Sequence, residues 1–321
     1  AFLKGDVETA LSEGDGGYQL RMDGLLLTWE GVAGGLGFAA IGARITDGDG
    51  GRIGEVPKAT MGLSFRAMLH GVLAPTHIRV EQPVLHLLRR LGTAETDEAA
   101  VAAEDATLAG LAAGLLGTGL HGTSAASHPL GYLSEFRLIG ANITIEDQVL
   151  EASWHVPRMD LALYRDEEEI SGDYAAEIEL SGKRARFTGG IHYPYLVGKL
   201  RVGMDFHEIE PAMFAIEATP LRHLTGLKIP LSGNIGLSLF PNGRLDGARF
   251  DLSRSEGRIF IPDVYDDGLK IAFAKLNGTI SGDLEKWAIE EFFVDLGGPS
   301  VKISLRENRE GEKLLLHGDI E

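Results

Sequence analysis

Ten histidines and 47 acidic residues give this chain of 321 residues ample material for catalysis or metal binding, so their spacing decides whether either is expected. A hydrolytic zinc site of the usual helical kind needs two imidazoles four residues apart with a glutamate beside the first, and no His-Glu-x-x-His or other zinc spacing occurs. His86 and His155 stand inside alternating apolar segments, where a structural role is expected. Asp47-Gly48-Asp49-Gly50 resembles the start of a calcium loop, whose carboxylates would supply hard oxygen ligands. It lacks the third acid and the distal Glu, so it reads as a turn. Asp166-Glu167-Glu168-Glu169 could offer paired carboxylates for acid–base chemistry. Between two strand-like segments it reads instead as a solvated hairpin tip. The stretch from Gly114 to Gly122 is glycine-rich, but a phosphate cradle would follow a strand and carry a lysine, and this one does neither. There is no G-x-S-x-G elbow and no Walker loop. The absence of Cys removes disulfides and thiolate metal sites. No catalytic residue, metal or cofactor is predicted.

The elements that would have to position such residues are nearly all strands. One pattern occurs at least three times: two alternating apolar residues, a polar, Gly or Pro break, and two more. It runs Ile78-Arg79-Val80-Glu81-Gln82-Pro83-Val84-Leu85-His86-Leu87, then Phe136-Arg137-Leu138-Ile139-Gly140-Ala141-Asn142-Ile143-Thr144-Ile145, then Phe292-Phe293-Val294 to Val301-Lys302-Ile303. Side chains alternate across a strand, so each copy makes a strand–break–strand unit with one apolar face. Similar alternation appears at Leu25, Leu27 and Trp29, at Met159, Leu161 and Leu163, at Leu200, Val202, Met204 and Phe206, and at Ile235, Leu237 and Leu239. Turn signals punctuate it at Ser181-Gly182 and Pro241-Asn242-Gly243. Short turns between successive strands predict antiparallel neighbours. Short helical pieces are predicted at Arg66–His70 and Pro211–Glu217. The expected fold is mainly β: a long antiparallel sheet, 1–321 as one continuous segment, with no linker marking a firm boundary.

Residues 93–130 are the exception. Acids at Glu95, Asp97 and Glu98 load the start of a helix dipole, and Val101, Leu108, Leu111 and Leu115 recur at helical spacing. An amphipathic helix over 95–117 is predicted on a flexible insert. Gly110 and Gly114 read as a small-residue packing face. The apolar run from Ala106 to Leu120 is about 15 residues, against roughly 20 needed to span a bilayer. With 43 Gly, 12 Pro and a net charge of −17, the composition suits an all-β chain with many turns and makes nucleic acid a poor partner. It also argues against electrostatic binding to anionic lipid surfaces. The ends, Ala1-Phe2-Leu3-Lys4 and the strand-like Leu314 to Ile320, read as those of a segment of a longer protein.

The text from Gly62-Leu63-Ser64-Phe65-Arg66-Ala67-Met68-Leu69-His70-Gly71-Val72-Leu73-Ala74-Pro75 through Ile78 and Val80 to Pro83, Val84, Leu87 and Arg89 resembles the AsmA-like family of bacterial envelope proteins, the group with TamB and YhdP. Trp154-His155-Val156-Pro157-Arg158-Met159-Asp160-Leu161, Pro230-Leu231-Ser232-Gly233 running to Asn242-Gly243-Arg244-Leu245, and Ala248-Arg249-Phe250-Asp251-Leu252 extend the likeness over residues 18–305. The resemblance implies a strongly twisted sheet curled into an open trough with an apolar concave face. It further implies anchoring in the inner membrane through a segment outside this chain, a periplasmic location, and carriage of phospholipid toward the outer membrane. On that implication, strand parity assigns the concave wall to Leu161, Leu163, Ile178, Leu180, Phe187, Ile191, Leu200, Val202, Met204, Phe206, Leu237, Leu239, Ile259 and Ile261. The 95–117 helix could cover one end as a lid, and several wall positions could then simply pack beneath it.

Alternation alone does not separate an open trough from a closed core. The competing reading is a non-catalytic β-sandwich or solenoid, a scaffolding or adhesion module of the envelope. An envelope enzyme, for example one acting on glycans, finds no carboxylate pair in a recognisable setting.

Overall fold

The strand periodicity of the sequence is realised throughout the computed structural model, which describes residues 19–29, 36–46, 51–69, 74–89, 132–148, 150–226, 228–240, 244–254, 256–261, 265–281, 286–310 and 313–320. The described chain is mainly β, with two short α-helices and one 3-10 segment. The predicted helical insert at 93–130 lies outside the described residues, as does nearly all of the Asp47–Gly51 turn. The chain divides into two compact units, Ala1–Ile178 and Glu179–Glu321.

In the first unit, β1 (Gln19–Arg21) and β2 (Gly24–Trp29) lie end to end along β3 (Leu36–Thr46). β3 then pairs antiparallel with β4 (Arg52–Leu63). Ser64 starts helix α1 (Phe65–Leu69) by accepting the Ala67 N–H on its hydroxyl at 3.1 Å, the expected role of an N-cap serine. β5 (Pro75–Glu81) and β6 (Val84–Arg89) again lie end to end, both antiparallel to β4. Both are parallel to β7 (Glu135–Asp147). β7 runs antiparallel to β8 (Ala152–Arg165), and β9 (Glu169–Leu180) follows after the Asp166 turn.

The first two copies of the repeat are therefore side-by-side partners in register. Ile78 faces Phe136, Val80 faces Leu138, Leu85 faces Ile143 and Leu87 faces Ile145. Their breaks face each other too: the Gln82 N–H donates to the Ile139 carbonyl and the Asn142 N–H to the Pro83 carbonyl, each at 2.8 Å. Gln82 and Gly140 both take positive φ, 50° and 62°. The expected all-antiparallel order is thus interrupted here, and the sheet is mixed. A parallel pair needs a long crossover, and residues 90–134 provide the chain length for it.

In the second unit, β10 (Lys183–Pro194), β11 (Leu200–Ile209), β12 (Leu231–Leu239) and β13 (Leu245–Arg254) are successive antiparallel neighbours. α2 (Ala212–Glu217), preceded by Pro211, and a 3-10 segment (Thr219–Gly226) join β11 to β12. β14 (Gly257–Ile261) and β15 (Tyr265–Ile271) form a separate ribbon. The sheet resumes with β16 (Phe273–Ser281) beside β13, then β17 (Trp287–Asp295), β18 (Ser300–Glu310) and β19 (Lys313–Ile320). The third repeat copy differs from the other two. Its break is long enough to reverse the chain: the Leu296 N–H donates to the Pro299 carbonyl at 3.0 Å, with Gly297 at φ 83°. The result is a hairpin.

Candidate functional site

The second unit's sheet has two chemically distinct faces, and the register defines both. Residues directly opposite on paired strands project to the same side. One row reads Ile191, Val202, Leu237, Ala248, Ile280, Trp287. The next reads Met204, Ile235, Phe250, Gly278, Ile289. A third reads Phe187, Phe206, Gly233, Leu252, Leu276, Phe292, Ile303. Leu200 and Leu239 continue the face at one end and Val294 and Val301 at the other. These rows cross seven strands, roughly 30 Å at the usual strand spacing. The rings of Phe187 and Phe206 sit 6.1 Å apart, tilted by 52°.

The opposite face carries Arg201, Asp205, Asn234, Ser238, Arg249, Asp251, Lys275, Asn277, Thr279, Glu291 and Lys302 by the same register. It is knitted by cross-strand contacts. The Asn234 amide donates to Asp205 at 2.9 Å, and the Lys275 ammonium lies 3.1 Å from Glu291. The Lys275 hydrogen bond, with its charge, holds the Glu291 carboxyl below its ordinary range, and the same bond raises Lys275. Charge and hydrogen-bonding capacity are concentrated on this side, with Phe273 and Phe293 among them, and the apolar side carries one cation at its margin, Arg254 opposite Ala274.

Exposure distinguishes a covered face from an open one. At the centre of a sandwich, facing side chains fall below a few per cent accessibility. Here Ile191, Leu200, Val202, Met204, Phe206, Leu237 and Leu239 are all half-buried, as are Ile235, Phe250, Leu252, Leu276, Ile280, Ile289 and Phe292. Lateral neighbours shield them while solvent still reaches them. Phe187 and Val294, toward the two sides, are buried at 4% and 7%.

The first unit is part open and part closed, with Leu27 and Trp29 exposed. Its rows are also apolar, for example Leu27, Phe38, Met61, Ile78, Phe136, Leu163. Yet Leu87, Leu138, Ala141, Ile143, Val156 and Ala176 close into a buried cluster, with Leu161 and Ile178 packed against it. A second cluster gathers Met22, Ala43 and Val56.

The fourteen predicted wall positions therefore fall into groups. Eight share the apolar face of the second unit: Ile191, Leu200, Val202, Met204, Phe206, Leu237 and Leu239, half-buried, and Phe187, buried at its side. Leu163 is buried, and Leu180 is fully so at 0%. Leu161 and Ile178 flank the first unit's core. Ile259 and Ile261 belong to the β14–β15 ribbon, not to the large sheet. Strand parity had no means of separating a ribbon from the sheet it interrupts. The wall list stopped short of Ile235, Phe250, Leu252, Leu276, Ile280, Ile289 and Phe292, which extend the same face. Their alternation was equally visible in the sequence; what was missing was the register that joins them to Val202 and Leu237.

The candidate chemical groups stay apart. Asp166 accepts N–H bonds from Glu168 and Glu169, both at 2.8 Å, which depress its carboxyl and make it a turn-closing residue. His86 and His155 lie on β6 and β8. Among the described residues no group of three or more His, Asp or Glu side chains could hold a metal ion, and no helix is long and apolar enough to cross a membrane. The chain matches no family model, no curated protein and no solved structure.

Proposed function

We infer that this chain binds and passes phospholipid, its acyl tails lying on the apolar face of the second unit, and that it does so in the bacterial periplasm as a non-enzymatic, AsmA-like segment serving outer-membrane assembly. The observation that carries this reading is the half-exposed apolar field spanning seven strands. Burying one CH₂ is worth about 0.8 kcal/mol, so a bare acyl chain of about sixteen carbons costs on the order of 12 kcal/mol in water. A continuous apolar strip removes most of that barrier and leaves the head group wet, with no nucleophile or cofactor involved. The buried cluster around Leu138 and Val156 shows that part of the first unit's apolar face packs against itself, while Leu27 and Trp29 on that unit stay exposed.

Val202 and Leu237 are direct cross-strand partners in the middle of the field. Replacing either by Arg puts a charge where the tails would lie. Lipid extracted from the purified Val202→Arg or Leu237→Arg protein is expected to fall at least about tenfold below wild type, with the thermal unfolding midpoint nearly unchanged. Unfolding of both variants would place these side chains in a sealed core and refute the lipid reading.

A further inference from the structure

The β10–β11 hairpin ends in a tip that a water-facing turn does not call for. Pro194 accepts the N–H groups of Val197 and Gly198, at 3.1 and 2.9 Å, which throws the intervening side chains outward. Leu196 at the apex is completely exposed, at 103%, and Val197 beside it is 47% exposed. Tyr195 packs edge-on against the buried Tyr193, ring centres 6.1 Å apart. The β12–β13 hairpin turns at the same end of the sheet, because β10 and β12 run in the same direction across β11. Its Phe240 ring is held between two cations, the Lys199 ammonium at 5.1 Å and the Arg244 guanidinium at 4.6 Å. Asp246 fixes Lys199 there at 2.7 Å and is itself braced by the Ser238 hydroxyl at 3.0 Å.

Exposed apolar apex, aromatic rings and cations thus gather at one end of the sheet, the three kinds of group that a bilayer surface takes up at its hydrocarbon boundary, interface and phosphates. A turn solvated on all sides gains nothing from a leucine at its apex, and the chain's overall charge of −17 makes the local cations more notable. We propose that the Tyr195-Leu196-Val197 tip, with Phe240, Lys199 and Arg244 behind it, is a membrane-docking foot that inserts shallowly into a phospholipid surface and sets one end of the apolar sheet face against it. This inference builds on the lipid-carrying reading but is measured separately, by adhesion to vesicles. A chain that adheres yet carries no lipid would overturn the function and keep the foot.

The chain has no cysteine, so Leu196→Cys gives it a single labelling site for an environment-sensitive fluorophore. With phosphatidylcholine–phosphatidylglycerol vesicles, the label at 196 is expected to brighten, shift blue and be quenched by brominated acyl chains. The same label at Glu167→Cys, on the exposed Asp166 tip, should keep its aqueous spectrum. In flotation, Leu196→Glu is expected to lower vesicle partitioning by about tenfold or more, while Leu26→Glu, another exposed leucine, leaves it unchanged. Pure phosphatidylcholine should bind less, by roughly fivefold for each cation engaged. An aqueous spectrum at 196 with vesicles, or equal responses at 196 and 167, would overturn the proposal. So would undiminished flotation of Leu196→Glu, which would leave the tip as a contact for another protein or for nothing.

Discussion

Glycines show at the scale of single residues how the sheet was shaped, and for two different reasons. Gly140 sits at φ 62° opposite the Gln82-Pro83 break, and the only atom near a hypothetical Cβ is Gln82 Cγ at 3.7 Å. Space is free there; the backbone conformation is what excludes other residues. Its N–H also donates to the Asp160 carboxylate at 2.8 Å, tying the bulge to the next strand. Gly278 has ordinary strand geometry, but a Cβ would meet the Ala288 carbonyl oxygen and lie 2.7 Å from Phe250 Cζ, because that ring lies across the glycine. Gly140→Ala should cost about 1–2 kcal/mol through the left-handed backbone. Gly278→Ala should cost about 1–3 kcal/mol through collision. Chemical denaturation of the two variants checks both. In a double-mutant cycle Phe250→Ala should cost less in the Gly278→Ala background than in wild type, and the same in the Gly140→Ala background, since only Gly278 faces that ring.

At the scale of elements, the polar face is what keeps each strand's other side apolar by default, and the Lys275–Glu291 pair between β16 and β17 is its clearest tie. Glu291 titrates below its ordinary value because of the Lys275 hydrogen bond and charge, with Lys302 adding a weaker attraction at 4.0 Å. A carboxylate depressed in the fold stabilises above its unfolded pKa, and that contribution disappears as pH falls through the folded value. Lys275 is raised, so its share holds below the ordinary lysine pKa and fades as pH rises through the folded one. Glu291→Gln should therefore melt below wild type near about pH 7, with the gap closing below about pH 4 and again above about pH 10.5. Paired thermal melts across pH read this directly; a gap that ignores pH would assign the loss to packing instead.

Elements were also where the sequence was most and least legible. Alternation located β11, β12 and both halves of the repeat, since period-two patterning is local. The short helices were legible as well, at Arg66–His70 and, with Pro211 at its start, at Pro211–Glu217. Partnership was not legible: nothing in Ile78–Leu87 or Phe136–Ile145 says that the two copies pair in parallel with break against break. Nor did the text distinguish a bulge from a reversal. Gln82-Pro83 and Gly140 are too short to turn a chain and only bend a strand, whereas the stretch between Asp295 and Ser300 can close a hairpin and does. The ribbon containing Ile259 and Ile261 has the same alternation as the sheet it interrupts, so parity could not exclude it.

For the molecule as a whole, the two units make different use of one kind of sequence. The first gathers some of its apolar positions into the buried clusters around Leu138 and Val56 and leaves others, Leu27 and Trp29 among them, exposed. The second spreads them over a field that its own described side chains only half shield. A contiguous apolar field with most charges on the other side marks an interaction surface, and a partner is expected. Acyl chains fit it because they are apolar along their whole length and need no specific hydrogen bonds.

A native mass spectrum of the gently purified full chain tests that claim most directly. The account predicts adducts of phospholipid mass on the wild-type protein, absent from Val202→Arg. A spectrum of bare chain under the same conditions, or adducts that persist undiminished in Val202→Arg, would contradict it.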